Sequence, residues 1–178
     1  MIIDVYAAQN VIATEGVMKG EQISFADELV MDDVFQIAAS SPLHALELIS
    51  QADALHRANA GFNVVHLDSC LTLMAPNGGT YEALILVEVQ DDAVADIFLL
   101  PLGELLPMVD YRLVGIARHT ATKRFAEAAS GSFARGTQIT MADGAMRKIE
   151  TLQAGDMVLT RDAGRQPVKC VGQATLRA

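Results

Sequence analysis

The sequence predicts a mainly β protein, and three observations carry that expectation. Residues 63–117 alternate apolar and polar positions with the period of two that strands require. Turn pairs interrupt the alternation at short intervals, Asn77-Gly78 and Asp91-Asp92 among them. Only one stretch, 41–61, spaces its apolar residues in a helical manner.

Residues 1–117 are expected to form an acidic, antiparallel β domain, a sandwich or a distorted barrel with one helix. Short strand-like runs come first, at MIIDVYA, QNVIATEGV, EQISFA and DVFQIAA, each bounded by polar or Gly-containing breaks. In SSPLHALELISQADALHRANAG, Ser41 suits a helix cap and Pro42 a first helical position. Leu43, Leu46, Ile49 and Leu55 then recur before Gly61, which predicts a helix; a bent strand with a loop is the alternative. NVVHLDSCLTLMA reads as a strand with Val65, Leu67, Ser69, Leu71 and Leu73 on one face and His66, Asp68, Cys70 and Thr72 on the other. PNGG supplies a tight reversal and YEALILVEVQ the returning strand. DIFLLPL and DYRLVGIAR complete a meander, with Leu99, Leu100, Leu102, Leu105 and Leu106 assigned to core or a covered edge.

His66, Asp68 and Cys70, spaced by two, invite a metal-site reading. Three ligands from one strand rarely surround an ion, so an outward face with Cys70 tucked under a neighbour is the expectation, with no metal and no cofactor.

RHTATKRFAEAASG follows, and its small residues and mixed charges predict a linker over 118–131, as a short helix or extended connector. Charge changes sign there. Residues 1–131 hold 18 acidic and 6 basic side chains, a net of −12, whereas 132–178 hold 4 and 7, a net of +3. An acidic first part excludes a nucleic-acid backbone as main partner, because phosphates demand clustered Lys and Arg. The scattered bases of the second part, such as Arg147, Lys148 and Arg165, read as a solvated face. The apolar run AVADIFLLPLGELLPMV is broken by Asp96, Glu104 and two prolines, which argues against membrane insertion. MIIDVYAAQN lacks the pattern of a secretory signal, so the expected location is the cytoplasm, or outside the cell by a route without an N-terminal signal peptide. Cys70 and Cys170 provide neither a disulfide framework nor a CxxC metal site.

The second part carries the chemical suggestion. SFARGTQITMADGAMRKIETLQAGDMVLTRDAGRQPVKCVGQ resembles the opening of a Hint domain, the hedgehog and intein autoprocessing fold, particularly in bacterial Hint-containing proteins. The resemblance rests on the order of features: a nucleophile position followed by an aromatic and Gly-Thr, a strand, Asp143-Gly144, Ile149 and Leu152, then GDMVLTRD and a QPV strand. It implies that 132–178 is a partial Hint domain. It further implies that Ser132 is a nucleophile placed to attack the carbonyl of Gly131, with Thr137 a strand residue and candidate polar member of the site. The substrate would be the protein's own N-terminal polypeptide, released or transferred after an acyl shift.

Two departures from the family pattern matter. Most Hint domains have Cys where Ser132 stands, and a protonated hydroxyl attacks more slowly than a thiol. The family's Thr-x-x-His element and its terminal features have no counterpart here, since His44, His56, His66 and His119 all precede Ser132. The expectation is a truncated, inactive form, or a tail that adds strands to the first domain. The other function class is a non-enzymatic binding or secreted structural module, whose acidic β domain meets a protein partner.

Overall fold

The computed structural model describes residues 1–51, 54–58, 63–129, 136–153, 155–160 and 164–168, in two compact units, Met1–Ala129 and Ser130–Ala178. In the first unit the described strands are β1 (Ile2–Ala7), β2 (Val11–Glu15), β3 (Val34–Ile37), β4 (His44–Gln51), β5 (Ala54–Arg57), β6 (Val64–Met74), β7 (Thr80–Gln90), β8 (Ala93–Pro101) and β9 (Asp110–Ala117). A helix, α1 (Ala121–Ala129), follows.

Six of these strands close on themselves. The antiparallel order β6-β5-β4-β1-β8-β7 returns to β6 through the β6–β7 pairing, and β9, β3 and β2 continue the sheet from β6. β6 is the fork. β7 pairs along its whole length, while on the other side Val64 and Val65 meet β5 and Cys70 to Met74 meet β9. The result is a six-stranded barrel with a three-stranded extension, so the mainly antiparallel β expectation holds.

Two apolar cores explain this shape. One draws Val5, Leu46, Val65, Leu84 and Phe98, with half-buried Leu55, from the six ring strands and fills the ring. The other sets Leu71, Ile85 and Leu99 against Phe35, Ile37 and Leu113, with Ile23 added from the long connection after β2. β7 is the shared wall: Ala83 through Glu88 are all buried, odd positions toward the second core and Leu84 and Leu86 toward the first. Its nearly unbroken apolar run reflects burial on both faces.

Several local expectations are corrected. The helix predicted within 41–61 is instead the β4–β5 hairpin, with Leu48 opposite Arg57 and Gln51 opposite Ala54. Leu46 and Leu48 point into the barrel, whereas Leu43 and Ile49 are exposed, so alternation through Glu47 outweighed the coincidental spacing of three. EQISFA forms no strand beyond a bridge from Gln22 to Ile12; it lies along β2 and buries Ile23. The single-face reading of β6 also fails. A bulge between Leu67 and Ser69 leaves Asp68 without a β7 partner, and an extra residue inverts the side-chain parity beyond it. Val65 and Leu67 therefore share the barrel core with Cys70, while Leu71 and Leu73 belong to the second core.

The turns carry out what their residues suggest. Asp91 and Asp92, both at positive φ (50° and 61°), join Gln90 to Ala93 as a two-residue hairpin loop. At 75–79, Gly78 alone takes positive φ, and Asn77 accepts the Gly79 N–H at 2.9 Å. Of the leucines assigned to core or edge, Leu99, Leu100 and Leu105 are buried, Leu102 is half-buried and Leu106 is exposed.

The described part of the 118–131 stretch is a turn at 118–120 followed by α1, which packs on the β unit. Ala, Lys, Arg and Glu favour helix here, and Ala121 and Phe125, four apart, turn one face into the barrel core. Arg124, at the flank of that face, ties the helix to Glu82 of β7 at 2.9 Å.

The second unit contains two hairpins among its described residues. β10 (Gln138–Thr140) pairs β11 (Met146–Lys148), β12 (Met157–Thr160) pairs β13 (Gly164–Pro167), and a bridge from Met141 to Val158 connects them. Asp143-Gly144 makes the first turn, with Gly144 at φ +88° and the Asp143 carboxylate accepting the Ala145 N–H at 2.9 Å. Among the described residues of this unit, Met141 and Leu152 are the buried apolar ones. No helix among the described residues is long and apolar enough to cross a membrane.

Candidate functional site

The site is built from the start of the second unit. Gly131 and Ser132, the candidate scissile carbonyl and nucleophile, lie outside the described residues. Gly136 is the first described residue after them, at φ +89°, in the left-handed region that favours glycine. A Cβ on it would meet no described residue within 4 Å, and the left-handed backbone conformation by itself favours glycine there.

Thr137 follows, half-buried and one residue ahead of β10. Its carbonyl oxygen accepts the Ile149 N–H at 2.9 Å, extending the β10–β11 ladder by one bond. Ile149 opens a short 3-10 turn, Ile149–Thr151, which the sequence places between strand and loop. That turn is fixed from within: Thr151 Oγ1 donates to the Lys148 carbonyl at 2.7 Å, and the next residue, Leu152, is buried. Glu150 reaches back from it, and its Oε2 accepts the Gly136 N–H at 2.8 Å. Glu150 was not singled out from the sequence; the available signal was the glycine in SFARGT, which marks a special backbone.

Asp156 organises the next turn. Its Oδ2 accepts the Gln153 N–H at 2.9 Å and faces Arg147 at 3.4 Å, while its carbonyl accepts the Val168 N–H at 2.8 Å. Asp156 is thus a structural residue: its carboxylate ties the turn before β12 to Arg147 of β11, and its main chain ties it to the residue after β13.

The structure does not bring His66, Asp68 and Cys70 into one site. His66 is exposed, Asp68 sits at the bulge and accepts the Ala26 N–H at 2.8 Å, and Cys70 is buried in the barrel core. Burial raises the Cys70 thiol pKa, and the Glu82 carboxylate adds to the rise against the opposing effects of Arg124 and a hydrogen bond with Thr120. Among the described residues no three His, Cys, Asp or Glu side chains gather to hold a metal ion.

The first unit offers one groove of note. It has a volume of about 570 Å³ and lies between β5, β6 and α1, with Leu55, Val65, Leu67 and Phe125 below and His66 and Thr122 at its edge.

Comparison with curated proteins and with solved structures finds no match. Residues 131–178 do match the family model of the Hint domain, so the two-hairpin unit corresponds to part of a Hint domain carried behind a separate β barrel.

Proposed function

We propose that the chain is a self-processing protein of the Hint type, with the β barrel as cargo and Gly131-Ser132 as the seam. Ser132 Oγ attacks the Gly131 carbonyl carbon, the C–N bond breaks, and the hydroxyl proton ends on the freed amine. Water or another nucleophile then takes the acyl group from the ester. Gly131 suits this chemistry because it adds no side chain beside the reacting carbonyl. The shift is slower from a serine than from a cysteine, because a hydroxyl lacks the ionised fraction of a thiol.

The observation that supports the reading is a coincidence of boundaries. The compact units divide between Ala129 and Ser130, and the family match starts at residue 131. Mass spectrometry of the purified full chain, with and without hydroxylamine, tests it. Fragments 1–131 and 132–178 are expected on hydroxylamine treatment, faster in Ser132→Cys and absent in Ser132→Ala. An intact chain under every condition, Ser132→Cys included, refutes it.

A second reading makes the barrel a non-enzymatic binding module for a protein partner. The groove beside α1, lined mainly by apolar residues together with His66 and Thr122, favours it. An uncleaved chain would leave this reading standing.

A further inference from the structure

We infer that the open edge of β8 over residues 93–97 is a docking site for an extended basic peptide, which joins the sheet as an added strand. The surface belongs wholly to the barrel unit and is independent of the self-processing reading.

Over this stretch β8 is paired on one side. Ala93 to Ile97 run beside β7, from Ala93 opposite Gln90 to Ile97 opposite Val87, whereas β1 meets β8 at Phe98 and Leu99 and its pairing stops there. Past Ala7 the chain turns into the short 3-10 helix Ala8–Asn10. Among the described residues no other strand or loop backbone bonds to 93–97. Alternate residues of an edge turn their N–H and C=O groups outward, and such a row is a template for another chain.

Beside the edge lies a groove of about 240 Å³, lined by Ala8, Gln9 and Gln22 together with Val94, Asp96 and Ile97. Its two faces differ in chemistry. Val94, 51% exposed, sits opposite Val89 and shares its face, the one on which Val89 and Ile97 pack against the second core. Asp96 lies on the other face, where it approaches Arg57 at 3.6 Å. A bulge makes the change, for Ala95 has no β7 partner. An added strand therefore meets apolar surface with one set of alternate side chains and a carboxylate with the other.

Charge selects the occupant. Asp91 and Asp92 are exposed at the turn that leads into the edge, and Asp96 is exposed within it. Two copies meeting edge to edge would bring these carboxylates together, which disfavours self-pairing. A segment that alternates apolar residues with Lys or Arg suits both faces, with main-chain bonds supplying affinity and side chains the choice of partner.

The test titrates the full chain with fluorescent peptides of equal length, alternating Lys-Val, alternating Glu-Val, and Lys-Val with a central Pro. Anisotropy reads binding, and NMR reads amide exchange over 93–97. The unbroken Lys-Val peptide alone is expected to bind, and at saturation to slow exchange of the outward amides of this stretch about tenfold. Asp91→Asn combined with Asp92→Asn keeps a residue type that tolerates their positive φ of 50° and 61°, and weakens binding about fivefold at low salt. Ala95→Pro obstructs the edge at a residue outside the β7 ladder and abolishes binding. Equal affinity for the Glu-Val peptide, or binding without protection of 93–97, overturns the proposal. Absence of binding also overturns it, as does a concentration-dependent dimer lost in Ala95→Pro, which makes a second copy the occupant. If Ala95→Pro lowers the melting temperature, the asparagine pair and the exchange pattern decide.

Discussion

Arg57 on β5 donates to Glu88 on β7 at 2.9 Å, although β6 runs between those strands in the ring. Glu88 is 1% exposed and also accepts from Asn63 Nδ2 at 2.5 Å. The guanidinium lies 5.7 Å from the Phe98 ring centroid and 3.6 Å from Asp96, so it closes the barrel wall by charge and by stacking together. Replacing Arg57 with Ala leaves a buried carboxylate held by Asn63 and is expected to cost about 2 kcal/mol. Urea denaturation of the full chain measures it, and a loss below about 0.5 kcal/mol contradicts the assignment.

Phe125→Ala removes the ring that α1 turns into the barrel core. A large apolar side chain deleted from a packed site costs about 3 kcal/mol. Protease nicking within 121–129 is expected to appear before the strands are cut, because the helix would then rest on Ala121 and the Arg124–Glu82 ion pair.

Gly16 and Gly20 separate two effects that glycine can have. Both take positive φ, 105° and 92°. A Cβ on Gly16 would lie 1.9 Å from Asp33 Oδ1, and Asp33 accepts the Val17 and Met18 N–H groups at 2.8 and 2.7 Å. Gly16→Ala is therefore expected to cost about 3 kcal/mol, from backbone strain plus displacement of that carboxylate. Nothing lies within 4 Å of a Cβ on Gly20, so Gly20→Ala costs about 1 kcal/mol. Thermal melts of the two variants give the comparison.

Cys70 should resist alkylation. Burial first, then Glu82, raises its pKa, so the protonated thiol persists to higher pH in the folded chain than in the unfolded one. In a Cys170→Ser background, iodoacetamide at mildly alkaline pH is expected to react with native protein at least about tenfold more slowly than with denatured protein. The sign for stability follows. The contribution is complete below the ordinary thiol value and declines as pH rises from there through the folded value, where the unfolded chain ionises first. Tyr6 is raised in the same direction by burial and by Tyr111, and steepens the alkaline decline.

The parts of the fold legible in the sequence are those governed by neighbours along the chain. Strands β6, β7 and β9 and the reversals at Asn77-Gly78 and Asp91-Asp92 declare themselves through alternation and turn chemistry. Leu46 and Leu48 did not, because Leu43 and Ile49 at spacings of three imitate a helix, and pairing with β1, where Leu46 faces Ile3, decides the matter. The Asp68 bulge was equally hidden: one extra residue leaves composition unaltered, and its support, the Ala26 N–H, comes from 42 positions away. The division into two units showed itself through a reversal of charge near residue 131 and the order of residues that follows it. Glu150 did not, since its significance arises only when the turn folds back on Gly136.

The bulge in β6 lets one strand furnish two chambers, Val65 and Cys70 to one and Leu71 and Leu73 to the other. Neither chamber owns its partition. Excising Asp68 alone would turn the far half of the strand inside out and strip both chambers of their lining at once, which makes this single position a keystone for the entire barrel unit.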